Sequence, residues 1–126
     1  MIRDDRGSAV VEFVLVGMML TFLTLAVLQL ALALHIRNTV LDAAAEGARF
    51  GALADNSPGD GVGRAIDLIS SAIGPEYAAD VSASAGEWMG YPAITVTVRT
   101  MLPVLGPIGP AGALEVSGHA VVETLD

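Results

Sequence analysis

The residues best placed to do chemistry are Ser8 and Glu12, because the carboxylate stands alone at the mouth of a long apolar run. Residues four apart share one face of a helix, so Ser8 and Glu12 can interact within a single turn. If the chain were cut between Gly7 and Ser8, the new amine on Ser8 could neutralise Glu12 in the same chain or in a neighbouring copy. An ionised carboxylate in apolar surroundings costs several kcal/mol unless it is paired. That cost would set the axial register of apolar helices stacked side by side. A plainer reading fits the same residues: Glu12 is favoured by the macrodipole at a helix N-terminus, and Ser8 is a good N-cap. Both readings stand on these residues alone.

Other constellations carry less. His35 and His119 are isolated, and there is no cysteine, so a metal site would need carboxylates. His35 is expected at a membrane edge and His119 on the solvent face of a strand. Ser117-Gly118-His119 lacks the G-x-S-x-G nucleophile elbow. The glycines form neither a P-loop nor a dinucleotide fingerprint. Asp55 and Asp60 lie in a turn without the alternating acids of a calcium loop. The chain is therefore expected to be no enzyme, with no metal and no cofactor.

Bulk composition points the same way. Apolar residues make up 53% of 126 and charged residues only 16%, against roughly 25% charged in ordinary soluble chains. The mean hydropathy is +0.63. The excess apolar content must sit in lipid or in an interface. A net charge of −8, with no lysine and scattered arginines, argues against nucleic acid, which demands a basic stripe.

The element that must carry Glu12 is a helix. No charged residue lies between Glu12 and Arg37 with His35 neutral. Phe13 to Leu34 would rise about 33 Å as a helix, enough to cross a hydrocarbon core of about 30 Å. A signal peptide cut after Ala33, at the small-x-small Ala31-Leu32-Ala33, is the rival reading. Against it, the run is longer than a usual signal core, and the helical pattern continues through Ile36, Val40, Ala44, Gly47, Ala48 and Gly51. The spacing predicts one helix from about Ala9 to Ala54, roughly 70 Å long, apolar all round in its first half and amphipathic in its second. Arg3 and Arg6 on one flank balance Arg37 and Arg49 on the other. The short N-terminal tail, cheaper to leave behind than the head, favours N-terminus in and C-terminus out.

Beyond the turn-rich stretch 54–61, Val62 to Ile73 reads as a short amphipathic helix, with Val62, Ile66, Ile69 and Ile73 on one face, ended by Gly74-Pro75. Alternation then predicts three strands: 79–85 with Val81, Ala83 and Ala85 inward, 94–99 with Ile94, Val96 and Val98 inward, and 114–122 with Leu114, Val116, Ala120 and Val122 inward. A unit this small is marginal alone. It is expected to dock on the small-residue face Val40, Ala44, Gly47, Ala48 and Gly51 of the long helix. The fold class is α+β: a long N-terminal helix, transmembrane in its first half, with a short helix and a small antiparallel sheet packed on it. The uncharged segment 101–113, with three prolines, reads equally as a loop over the sheet edge or as an apolar patch meeting a neighbouring subunit or lipid.

A polar leader with arginine, then Gly7-Ser8, then Glu12-Phe13 opening an apolar helix, resembles the class III signal of type IV pilin-like proteins. RGSAVVEF together with AAAEGARFGA (residues 43–52) is similar to the TadE-like family, minor pilins or pseudopilins of the Tad (Flp, tight adherence) pilus system. The resemblance covers the helix well and the C-terminal part in outline. It implies a leader 1–7 removed after Gly7 by a prepilin peptidase, a helix 8–54 with a transmembrane segment 13–34, and an extracytoplasmic head 55–126. It implies that Glu12 and Phe13 serve assembly and register. It implies as partners the major Flp pilin, a second minor pilin, the peptidase, a membrane assembly platform and the lipid bilayer. The location implied is the cytoplasmic (inner) membrane or the pilus, in a single pass. Competing functions are a single-pass anchored binding module and a secreted binding protein cut after Ala33.

Overall fold

Alanine, leucine and methionine, with no proline to remove a backbone donor, sustain one helix, α1, over Arg3–Gly51. The computed structural model describes residues 3–102 and 113–123, with side chains from Arg6 onward. Helix α1 begins before the expected Ala9 and ends before the expected Ala54. At its C-terminal end Asn56 Nδ2 donates to Phe50 O at 2.8 Å, capping a carbonyl the helix leaves without a partner.

The chain divides into two compact units, residues 1–32 and 33–126. In the first, α1 is exposed along its described length save for a half-buried Gln29. In the second, α1 supplies one wall of a core. Ile36, Val40, Ala43, Ala44, Ala48 and Ala52 are buried with Ala65, Ile69, Ala78, Ile94, Val96, Val98 and Val116.

Helix α2 covers Pro58–Ala72, starting four residues before the expected Val62. Of the stretch 54–61 read as turn-rich, residues 54–57 are turn and coil, and residues 58–61 are the first turn of the helix. Ser57 and Asp60 form a capping box: Asp60 N donates to Ser57 Oγ at 3.3 Å, and Ser57 N donates to Asp60 Oδ2 at 2.8 Å. Pro58 takes the first turn, where its missing donor costs nothing. The buried face centres on Gly61, Ala65 and Ile69, while Val62, Ile66 and Ile73 are half-buried. The helix thus sits rotated by about one position from the face its aliphatics mark. Gly74 closes it with φ of 122°, a conformation glycine adopts without strain. A 3-10 turn, Pro75–Ala78, follows.

Three strands, β1 (Asp80–Trp88), β2 (Tyr91–Met101) and β3 (Ala113–Val121), form an antiparallel sheet in the order β1-β2-β3. The expected α+β arrangement is the one present. The strands run longer than alternation alone marked, because β1 and β2 join in a two-residue hairpin at Met89 and Gly90. Both residues have positive φ, 51° and 85°, as a hairpin turn matching the sheet twist requires. Ala85, expected inward, is exposed near this hairpin end. The inner face otherwise alternates as expected, and β2 contributes Ile94, Val96 and Val98 to the core. Of the segment 101–113, residues 103–112 lie outside the described residues, so neither reading of it is tested. Met101 and Ala113, the strand ends, are exposed.

Candidate assembly helix and head-docking face

Gly7 and Ser8 lie inside α1, both exposed, so Ser8 is not an N-cap here. A Cβ added to Gly7 would meet nothing within 4 Å. Glu12 and Phe13 are exposed on the same helix, with Phe13 79% accessible. Ser8 and Glu12 are one turn apart on one face. Downstream, valines, leucines, methionines and Phe22 point outward all round the helix, without a polar stripe. Two hydroxyls in this stretch satisfy themselves: Thr21 Oγ1 donates to Gly17 O and Thr24 Oγ1 to Leu20 O, each at 2.8 Å. With those groups bonded internally, the surface offers lipid little that needs water. By length and composition α1 can cross a membrane.

The second half of α1 is built for close contact. Val40, Ala44 and Ala48 are fully buried, and Gly47 and Gly51 are buried beside them. Ala43, absent from the expected stripe, is buried too. A Cβ on Gly47 would stand 2.7 Å from Gly61 O, and one on Gly51 would stand 3.2 Å from Gly61 Cα. The crossing of α1 and α2 therefore rests on glycine from both helices. On the sheet side, a Cβ on Gly118 would stand 2.5 Å from Ala45 N. Gly118 falls at an inward position of β3, between Val116 and Ala120. An interior strand glycine marks a close backbone approach, and that was the signal available for it in the sequence. Glu123 N donates to Ala52 O at 2.8 Å, tying the end of the sheet to the end of α1.

The outer sheet face is a polar ladder. Thr95 Oγ1 and His119 Nδ1 lie 2.8 Å apart, Thr97 Oγ1 and Ser117 Oγ 3.0 Å, and Arg99 Nε donates to Glu115 Oε2 at 3.0 Å. The Glu115 hydrogen bond, helped by the charges of Glu115 and Asp80, raises the Arg99 pKa above its already high ordinary value. Trp88 stacks on His119, with ring centroids 5.7 Å apart and planes within 2°. These are cross-strand contacts that stabilise a sheet. They give no acid, base and nucleophile converging on one point. Asp60 is engaged in the capping box, and among the described residues no three His, Cys, Asp or Glu side chains gather where they could hold a metal.

The family model described as TadE-like protein matches residues 7–49. No curated protein and no solved structure matches the chain. The matched stretch opens at Gly7, takes in Ser8, Glu12 and Phe13, runs through the exposed apolar segment and ends within the buried glycine and alanine face. Over residues 7–49, about a third of its length, this chain is similar to TadE-like proteins.

Proposed function

We propose that the protein is a minor pilin or pseudopilin of a Tad-type pilus, stored in the cytoplasmic membrane by residues 13–34 and cleaved by a prepilin peptidase after Gly7. The observation that carries this reading is the coincidence of the TadE-like match with an exposed apolar helix that bears Gly7, Ser8 and Glu12 at its entrance. The new Ser8 amine pairs with Glu12 within the subunit or across to a neighbour, and the cost of leaving Glu12 unpaired in an apolar bundle fixes register. The N-terminus lies on the cytoplasmic side and the head outside. The major Flp pilin, a second minor pilin and the assembly platform meet the subunit through the helix, and Phe13 contributes to that packing.

Cleavage at Gly7 requires the first two turns of α1 to open, because a protease reads an extended segment. Gly7 helps, since glycine within a helix costs about 1 kcal/mol relative to alanine.

One observation favours a second reading, an anchored binding module. Among the described residues, the core of the unit 33–126 contains no residue from the first 32. Intact mass and N-terminal sequencing of the chain from its native membranes separate the possibilities. A start at Ser8 supports the pilin reading. A start at Met1 supports the tethered module, and a start at Leu34 a secreted form.

A further inference from the structure

At the hairpin end of the outer sheet face Trp88 lies opposite Tyr91, and the two are 43% and 62% exposed. The next row holds Gly86, Ala93 and Val121. Ala93 faces outward by strand parity yet is buried. The Trp88–His119 stack joins β1 to β3 and so passes over the central strand. On the β1 side the face stays open, since a Cβ on Gly86 would meet nothing within 4 Å. Trp88, held in orientation by His119, therefore stands beside an open recess in the sheet surface. Farther along come Ser84, Thr95 and His119, then Ser82, Thr97 and Ser117. These two rows offer hydroxyls and an imidazole and no carboxylate. Thr95 and Thr97 each make one side-chain hydrogen bond, which leaves part of each hydroxyl's capacity unused.

Charged groups stand at the two ends of this face. At one, Arg99 is bonded to Glu115, with Asp80 in the same row. At the other, Glu123 comes level with Tyr91, because Val122 N donates to Pro92 O and continues the pairing of β3 with β2. An anionic ligand would meet carboxylates at both ends and an arginine already engaged. Between Ser82 and Trp88 the face measures about 20 Å along the strands and about 10 Å across them, or about 200 Å². A stable protein interface takes about 800 Å² from each partner, so this face is too small to hold a protein alone. The serines and threonines argue against an acyl chain, which would strip them of water without replacing their bonds. An uncharged sugar matches what is left. A pyranose has a C–H face that packs on an aromatic ring and a rim of hydroxyls that exchange hydrogen bonds with serine and threonine.

We propose that the outer sheet face between Ser82 and the Trp88–Tyr91 pair binds a neutral oligosaccharide of flat, extended form. Its rings stack on Trp88 and Tyr91 and enter the recess at Gly86, its hydroxyls bond Ser84 and Thr95, and Glu123 accepts from the ring nearest the hairpin. The inference goes beyond the pilin reading and needs neither cleavage after Gly7 nor insertion of residues 13–34.

Trp88 is the chain's one tryptophan, so its fluorescence reports on the face without a label. The full chain in lauryldimethylamine-oxide micelles, which carry no sugar headgroup, is titrated with cellohexaose and with chitohexaose, two flat β-1,4-linked chains. Calorimetry follows the same titrations. At least one probe is expected to give a saturable change with a Kd of about 1 mM, a weak affinity in keeping with a shallow open surface. Gly86→Thr fills the open space in an edge strand and is expected to abolish binding without lowering the thermal midpoint. Tyr91→Ala is expected to weaken binding by about tenfold. Titrations that stay flat to about 10 mM with both probes overturn the inference. So does binding that persists unchanged in Gly86→Thr, which would place the sugar elsewhere on the chain. If light scattering finds the native chain self-associated and Gly86→Thr dissociates it, a protein neighbour covers the face, and the inference is again overturned.

Discussion

Gly61 of α2 and Gly47 of α1 meet backbone to backbone. A Cβ on Gly61 would stand 2.5 Å from Gly47 O, and a Cβ on Gly47 would stand 2.7 Å from Gly61 O. Neither distance is one a real side chain tolerates, and both clashing atoms are main-chain carbonyl oxygens that cannot swing aside. The head is seated on its helix by the absence of side chains as much as by their presence.

Helix propensity and packing make opposite demands at this crossing, which gives an internal control. Alanine is favoured over glycine in a helix by about 1 kcal/mol, and a Cβ on Gly63, in the same helix as Gly61, meets nothing within 4 Å. Gly63→Ala is expected to raise the thermal midpoint of the detergent-solubilised chain. Gly61→Ala is expected to lower it, because overpacking typically costs about 1–3 kcal/mol and outweighs the propensity gain. Near-ultraviolet circular dichroism of the lone Trp88 follows both transitions.

Gly118 sets a harder limit. Its Cβ would fall 2.5 Å from Ala45 N and 2.6 Å from Ala44 C, so the sheet would have to lift off α1. Gly118→Ala is expected to destabilise by about 3 kcal/mol, at the upper end of the usual overpacking range. Gly86→Ala, in the edge strand with open space at its Cβ, is expected to be harmless. Urea unfolding of the two variants side by side checks the contrast.

The capping box at α2 offers a third measurement. Ser57→Ala removes the acceptor for Asp60 N, and loss of such a cap costs about 1 kcal/mol. Ser57→Asp, which keeps an acceptor, is expected to recover most of it. Hydrogen exchange at the α2 amides is the direct readout, with the first turn opening more readily in the alanine variant.

Much of this fold could be read from spacing. Small and aliphatic residues recurring every three or four positions from Ile36 marked a helix with one buried face, and alternation about Ile94, Val96 and Val98 marked a central strand. Local chemistry that imitates something else was harder to read. Ser57-Pro58-Gly59-Asp60 has the composition of a turn, yet its cap and proline open a helix. Met89-Gly90 lacks the asparagine or aspartate that usually announces a tight hairpin, and without that hairpin the register pairing Thr95 with His119 could not be fixed. Trp88 owes its stacking on His119 to the same register. Gly118 looked like part of a polar triplet until strand parity placed it inward. At the candidate site, Gly7, Ser8, Glu12 and Phe13 stand on an exposed helix whose meaning lies in a peptidase and in neighbouring helices, so the residue types speak to function more than the fold around them does.

The pairing of Glu12 with a newly made amine separates the pilin reading from a simple anchor. Glu12→Leu removes the carboxylate and adds apolar surface, so membrane insertion of α1 is expected to be unchanged or better. Cleavage after Gly7 is expected to continue, since the bond and its flanking glycine are intact. What should fail is the next step, because an unpaired Ser8 ammonium in an apolar bundle carries a penalty of several kcal/mol. Pulse-labelled cells would then accumulate cleaved subunit in the membrane and yield few or no pili. Glu12→Asp, which keeps the charge on a shorter arm, is expected to restore a part of assembly. A leucine variant that is cleaved and supports normal piliation would show that Glu12 is merely an interfacial residue at the start of a membrane helix.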